Sequence, residues 1–125
     1  MDRPEDLTET LAAVGRALLA WGWLETEMTV VLDRQGAPPH ASPIARWRQA
    51  HHLLPSSLFD RTAEIERLAG VRNLIAHGLS AARSLPTPEV EVRAQGGASA
   101  VISLDELVAV AQAIDRVRCE IARTR

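Results

Sequence analysis

Val71-Arg72-Asn73-Leu74-Ile75-Ala76-His77-Gly78 is the stretch from which the fold is read. It reads as the last two turns of a helix closed by a glycine, the residue at which helices commonly exit through a left-handed backbone. Arg72, Asn73 and His77 interrupt an otherwise apolar octet. With successive side chains about 100° apart, Asn73 and His77 lie one turn from each other on one face, opposite Leu68 and Ile75. Arg72 falls at the edge of the apolar stripe. An arginine holds phosphate bidentately and a histidine titrates near neutrality, so the set is a minimal kit for handling a phosphodiester.

Working outward, the same helix extends back to about residue 58. Ser56 or Ser57 serves as its cap, and Ile65, Leu68, Val71 and Ile75 form its apolar stripe. Before it, Ser42-Pro43 reads as cap and first position of a short helix carrying Ile44, Trp47 and Leu54 inward and ending at Pro55. Residues 35–41, with Gly36, Pro38 and Pro39, are a loop. Residues 2–32 read as one long helix, with Pro4, Glu5 and Asp6 suited to its first turn. Its seam is Leu7, Leu11, Val14, Leu18, Trp21, Glu25, Met28 and Leu32 in alternating steps of four and three. Gly15 and Gly22, one heptad apart, offer close approach to a neighbouring helix. Glu25 is the one polar residue in that seam and Arg72 the cation at the edge of the other. A Glu25–Arg72 pair is therefore expected, because an unpaired buried guanidinium is costly.

Downstream, residues 79–100 lose helical periodicity. Pro86-Thr87-Pro88 and Gly96-Gly97 are turns, and Glu89-Val90-Glu91-Val92-Arg93 alternates, predicting a small β-hairpin or an extended loop. Ser103 and Glu106 form a capping box for a last helix over 104–123, striped by Leu107, Val110, Ile114, Val117 and Ile121. The fold class expected is all-α, a four-helix bundle with a short β-hairpin or loop inserted before the last helix, in a single domain over 1–125.

Composition bounds the function. The chain is 46% hydrophobic and 24% charged, ordinary for a globular protein, and no apolar run is long enough to span a bilayer. The opening Met1-Asp2-Arg3-Pro4-Glu5-Asp6 is too acidic and polar for a signal peptide, and a single cysteine, Cys119, suits a cytoplasmic setting. Cys119 is expected to be a small buried apolar residue. A net charge of −2 argues against a general nucleic-acid coat, though not against a local phosphate site. All 14 basic residues are arginines.

Other candidates are weaker. His51 and His52 are adjacent, so on a helix they diverge, and with His40 they lack the spacing of a zinc site. Trp21, Trp23 and Trp47 are expected to be core or interface anchors. Gly96-Gly97 lacks the lysine and helix of a phosphate loop, and no metal or cofactor is expected.

Arg72-Asn73-Leu74-Ile75-Ala76-His77 resembles the Arg-x4-6-His motif of HEPN domains, including the common asparagine after the arginine. HEPN domains are all-helical bundles with this motif near the end of their third major helix, and the order of elements expected here agrees. The resemblance implies metal-independent endoribonuclease activity on an RNA substrate by a homodimer whose two motifs face one cleft. His77 would act as general base or acid, Arg72 would stabilise charge on the phosphoryl oxygens, and Asn73 would orient His77 or donate to the phosphate. Glu25 would support the site. The setting implied is the toxin of a bacterial toxin–antitoxin or phage-defence system, with an antitoxin or defence partner protein. HEPN toxins controlled by nucleotidyltransferases carry a tyrosine two residues after the histidine. Leu79 stands there in a chain without tyrosine, which excludes that control. The alternative expectation is a non-catalytic HEPN-like module that dimerises or binds a partner protein or RNA.

Overall fold

A computed structural model of the chain describes residues 6–124. Its elements are α1 (Thr8–Arg34), α2 (Pro43–Ala50), one 3-10 turn (His51–Leu53), α3 (Ser56–Phe59), α4 (Thr62–Gly78), β1 (Leu79–Arg83), β2 (Glu89–Arg93), β3 (Ser99–Ser103) and α5 (Leu104–Ala122). The first-turn roles read for Pro4 and Glu5 lie outside the described residues. Asp6 is described: its carboxylate accepts the Thr8 backbone N–H at 3.0 Å, which holds its pKa below the ordinary value.

The fold is not the all-α bundle expected. β1, β2 and β3 form a three-stranded antiparallel sheet with β2 in the centre. β2 and β3 form a hairpin where the Glu89–Arg93 alternation predicts a hairpin or an extended loop, and β3 runs past that stretch to Ser103. Gly96 and Gly97 turn the hairpin with φ of 101° and 95°, backbone that glycine adopts without the usual steric penalty. β1 was invisible to the pattern because Leu79-Ser-Ala-Ala-Arg has neither alternation nor β-branched residues. Its pairing with β2 supplies what local propensity lacks, with Ala81 opposite Glu91 and Arg83 opposite Glu89.

The sheet exists because the helices alone leave one end of the core open. One cluster is held mainly by helices: Leu24, Met28 and Leu32 of α1, Trp47 of α2, Leu58 of α3, Ile65 and Leu68 of α4, and Ile114 and Ile121 of α5. The other joins helix to sheet: Val14 and Ala17 of α1, Ile75 of α4, Val90 and Val92 of β2, Ile102 of β3, and Leu107 of α5. Val90, Val92 and Leu107 are fully buried, and each such side chain contributes about 1.5–3 kcal/mol of transfer free energy. Because Val90 and Val92 point inward, Glu89, Glu91 and Arg93 share the outer face of β2.

The stripe of α1 departs from the heptad seam. Leu11 is 48% exposed and Leu24 takes the core place expected of Glu25. A strict seven-residue repeat drifts about 20° per heptad around a straight helix, so the buried set follows the 3.6-residue period. Among the described residues nothing approaches within 4 Å of a Cβ built at Gly15 or Gly22, so no described helix of this chain packs closely against either. The third helix also differs: Ser56 and Ser57 fall in the one-turn α3, and α4 starts afresh at Thr62. The Thr62 hydroxyl accepts the indole N–H of the buried Trp47 at 3.2 Å, which fixes that joint. The caps at Ser42 and Ser103 form as expected, accepting from Ala45 N at 3.2 Å and Glu106 N at 3.1 Å.

Candidate functional site

α4 presents Gly70, Asn73, Leu74 and His77, spaced three, four and seven residues from Gly70, along one wall of a cleft of about 850 Å³. The opposing wall comes from Leu79 and Ser80 of β1 and from Arg93, Ala94 and Gln95 at the end of β2. Asn73 and His77 are both exposed, on the side of α4 away from the buried Leu68 and Ile75. Among the described residues nothing hydrogen-bonds the His77 ring. This is the arrangement that a chemical role requires, and the opposite of a histidine buried with satisfied bonds.

Gly78 explains how the two walls meet. It is not the left-handed exit expected from the sequence, because its φ is not positive. Its lack of a side chain serves a different purpose: a Cβ there would overlap the backbone carbonyl of Arg93. The last turn of α4 therefore lies directly against the end of β2, and Arg93 is brought beside His77. A glycine at the joint permits this contact; any other residue would push the walls apart.

Arg72 does not line the cleft. It is half-buried on the flank of α4, and its Nη1 donates to Asn73 Oδ1 at 3.1 Å. That bond occupies the acceptor end of the Asn73 amide and leaves its N–H₂ group free to donate. No ion pair joins Arg72 to Glu25. The register of the helices is the reason. The end of α4 packs against the Val14–Ala17 region of α1, whereas Glu25 stands beside the residues that pack on Ile65 and Leu68. The two side chains are thus separated by two to three helical turns along α1.

No local pattern marks Arg93, Ser80, Gln95 or Gly70 as lining a cleft. Alternation did place Arg93 on the outer face of a strand, but nothing local connects it to a helix fifteen residues earlier. Among the described residues no Asp or Glu lines the cleft. Arg93 and Arg72 have no carboxylate within ion-pair distance among those residues. Six other arginines do: Arg16, Arg46, Arg48, Arg61, Arg83 and Arg118. The Arg48–Glu66 pair is two-pronged and raises the Arg48 pKa above its ordinary value. The Ser80 hydroxyl donates to Glu91 O at 3.2 Å, tying the sheet wall together.

The remaining candidates resolve simply. Among the described residues no cluster of three or more His, Cys, Asp or Glu is placed to hold a metal ion. The His51 ring packs on Phe59 at 5.3 Å, and the His40 Nδ1 accepts the Ala41 N–H. Trp21 and Trp47 are core residues, but Trp23 is 41% exposed, with the Arg16 and Arg118 guanidiniums 5.5 and 5.7 Å from its ring. Cys119 is exposed, not buried, because it falls on the outer face of α5, between the inward Val117 and Ile121. No helix is long and apolar enough to cross a membrane among the described residues. Compared with known protein families, with curated proteins and with solved structures, the chain matches none.

Proposed function

We propose that this cleft is the active site of a metal-independent endoribonuclease of HEPN type. The observation that carries the reading is His77, exposed in a cleft, without a hydrogen-bond partner for its ring among the described residues, one turn from Asn73. In the reaction, His77 takes the proton of a ribose 2′-hydroxyl as its oxygen attacks the adjacent phosphorus. The bond from phosphorus to the 5′-oxygen breaks, leaving a 2′,3′-cyclic phosphate and a 5′-hydroxyl. The departing oxygen needs a proton, which in a symmetric homodimer the second copy of His77 supplies. Asn73 donates its amide N–H₂ to a phosphoryl oxygen, and Arg72 holds that amide in register through its Oδ1. The toxin–antitoxin or phage-defence setting follows from the resemblance alone.

The test is cleavage of a mixed RNA pool in EDTA by the wild type and by His77→Ala at equal dimer content. The expected result is cyclic phosphate ends from the wild type and a loss of about 100-fold or more in the variant, the lower range of general acid–base catalysis. Equal cleavage by both removes His77 from the chemistry. A second reading, a non-catalytic module that binds a partner protein or RNA, is favoured by the net charge of −2, which gives no broad basic surface. Absence of cleavage by a folded dimeric wild type selects it.

A further inference from the structure

We propose that Arg93, and not the Arg72 of the motif, is the phosphate ligand of the cleft, and that it grips a backbone phosphate of the RNA. The inference rests on the reading of the cleft as an RNA site. Three independent observations lead to it. First, Arg72 is turned away: it is absent from the cleft wall, and its guanidinium is engaged with Asn73 Oδ1. Second, Arg93 is held in place by backbone rather than by side-chain contacts. Its strand pairs on both sides, with Ser99 opposite it on β3, and its carbonyl abuts Gly78 next to His77. Third, the lining is built to accept an anion. Besides its apolar members it is lined by an arginine, a histidine, an asparagine, a glutamine and a serine, and no acid among the described residues lines it to compete for the arginine.

The charge pattern of β2 makes the same point. Glu89, Glu91 and Arg93 share its outer face. Both acids are taken by Arg83, at 3.6 and 3.1 Å. Arg93 is left with its full charge at the end of the strand that opens on His77. A guanidinium presents parallel N–H donors that match two oxygens of a phosphate, so Arg93 would fix the phosphate while His77 acts on the neighbouring 2′-oxygen.

The experiment is binding of a 2′-O-methyl RNA oligonucleotide, whose nucleophile is blocked, to the full chain over a series of salt concentrations. Wild type is compared with Arg93→Gln, Arg93→Lys and Arg72→Gln, each checked for native circular dichroism and melting. Arg93→Gln is expected to bind about tenfold more weakly, as loss of one charge-assisted hydrogen-bonded contact implies. Its slope of log affinity against log salt should fall by about 0.7, the value for one phosphate of a single strand. Arg93→Lys should keep the slope and lose part of the affinity, and provides the answer if Arg93→Gln fails to fold. Arg72→Gln should keep the slope. Wild-type affinity and slope in Arg93→Gln, slope loss in Arg72→Gln instead, or no binding by the wild type would overturn the proposal. The two readings fail separately. If His77→Ala abolishes cleavage while Arg93→Gln binds normally, only the Arg93 assignment falls. If Arg93→Gln loses the slope while His77→Ala cleaves like wild type, only the acid–base role of His77 falls.

Discussion

The outer face of the small sheet has two ends, each marked by an arginine, and they are opposites. At one end Arg83 of β1 lies between Glu89 and Glu91 of β2, and its charge is cancelled within the fold. At the other end Arg93 stands at the mouth of the cleft with no acid beside it among the described residues. The sheet and the residue type are the same, so the difference lies in what surrounds each guanidinium. Neutralised charge at one end contributes modestly to stability. Open charge at the other contributes nothing to folding and is available to a ligand. This contrast separates scaffold from site more sharply than burial does, since both arginines are reached by solvent.

The contrast can be broken in several ways. The largest effect is expected from emptying the open end of its reactive group: His77→Ala should lower RNA cleavage about 100-fold or more, with an unchanged melting curve because the ring is exposed. Closing the geometry comes next. Gly78→Ala forces a methyl group into the Arg93 carbonyl and should reduce unfolding free energy in urea by about 1–3 kcal/mol, as overpacking does. It should also lower cleavage by moving Arg93 from His77. Arg93→Gln should weaken oligonucleotide binding about tenfold and reduce its salt dependence. A subtler change copies the closed end onto the open one: Gln95→Glu places a carboxylate on the cleft wall near Arg93. At about 4 Å in water that charge is worth about 1 kcal/mol, so binding should fall about fivefold. The smallest effect belongs to the closed end itself. Arg83→Gln should destabilise the fold by no more than about 1 kcal/mol, as exposed pairs do, and leave cleavage untouched.

The parts of the molecule readable from sequence are those governed by residues near one another. Ser42 and Ser103 act on N–H groups three residues away, so their caps follow from local chemistry. The Leu107–Ile121 stripe and the shared face of Asn73 and His77 follow from helical period alone. What could not be read depends on partners distant in sequence. β1 is a strand only because β2 pairs with it, and Arg93 is a site residue only because Gly78 lets β2 touch α4. The Glu25–Arg72 pair failed for the same reason. Two polar residues in two apolar patterns suggest a meeting, but the antiparallel register of the helices decides it. Cys119 shows the converse error, an average tendency of the residue type overridden by its position on α5.

Neither helix–strand junction has a loop: Gly78 is followed at once by Leu79, and Ser103 ends β3 while capping α5. The sheet is thus gripped at both ends like a blade in a vice, with no slack to absorb a change of length. One residue added between Gly78 and Leu79 would turn every following side chain of β1 to the opposite face, exchanging the environments of the core-facing Ala82 and the outward Arg83. Residues 84–88 and 94–98 are the places where the chain can lengthen at little cost, since a longer connection there adds only slowly growing closure entropy. Growth of this protein is therefore channelled to the rims of its sheet, and at 94–98 any new segment would arise at the lip of the cleft, where it could reshape what enters.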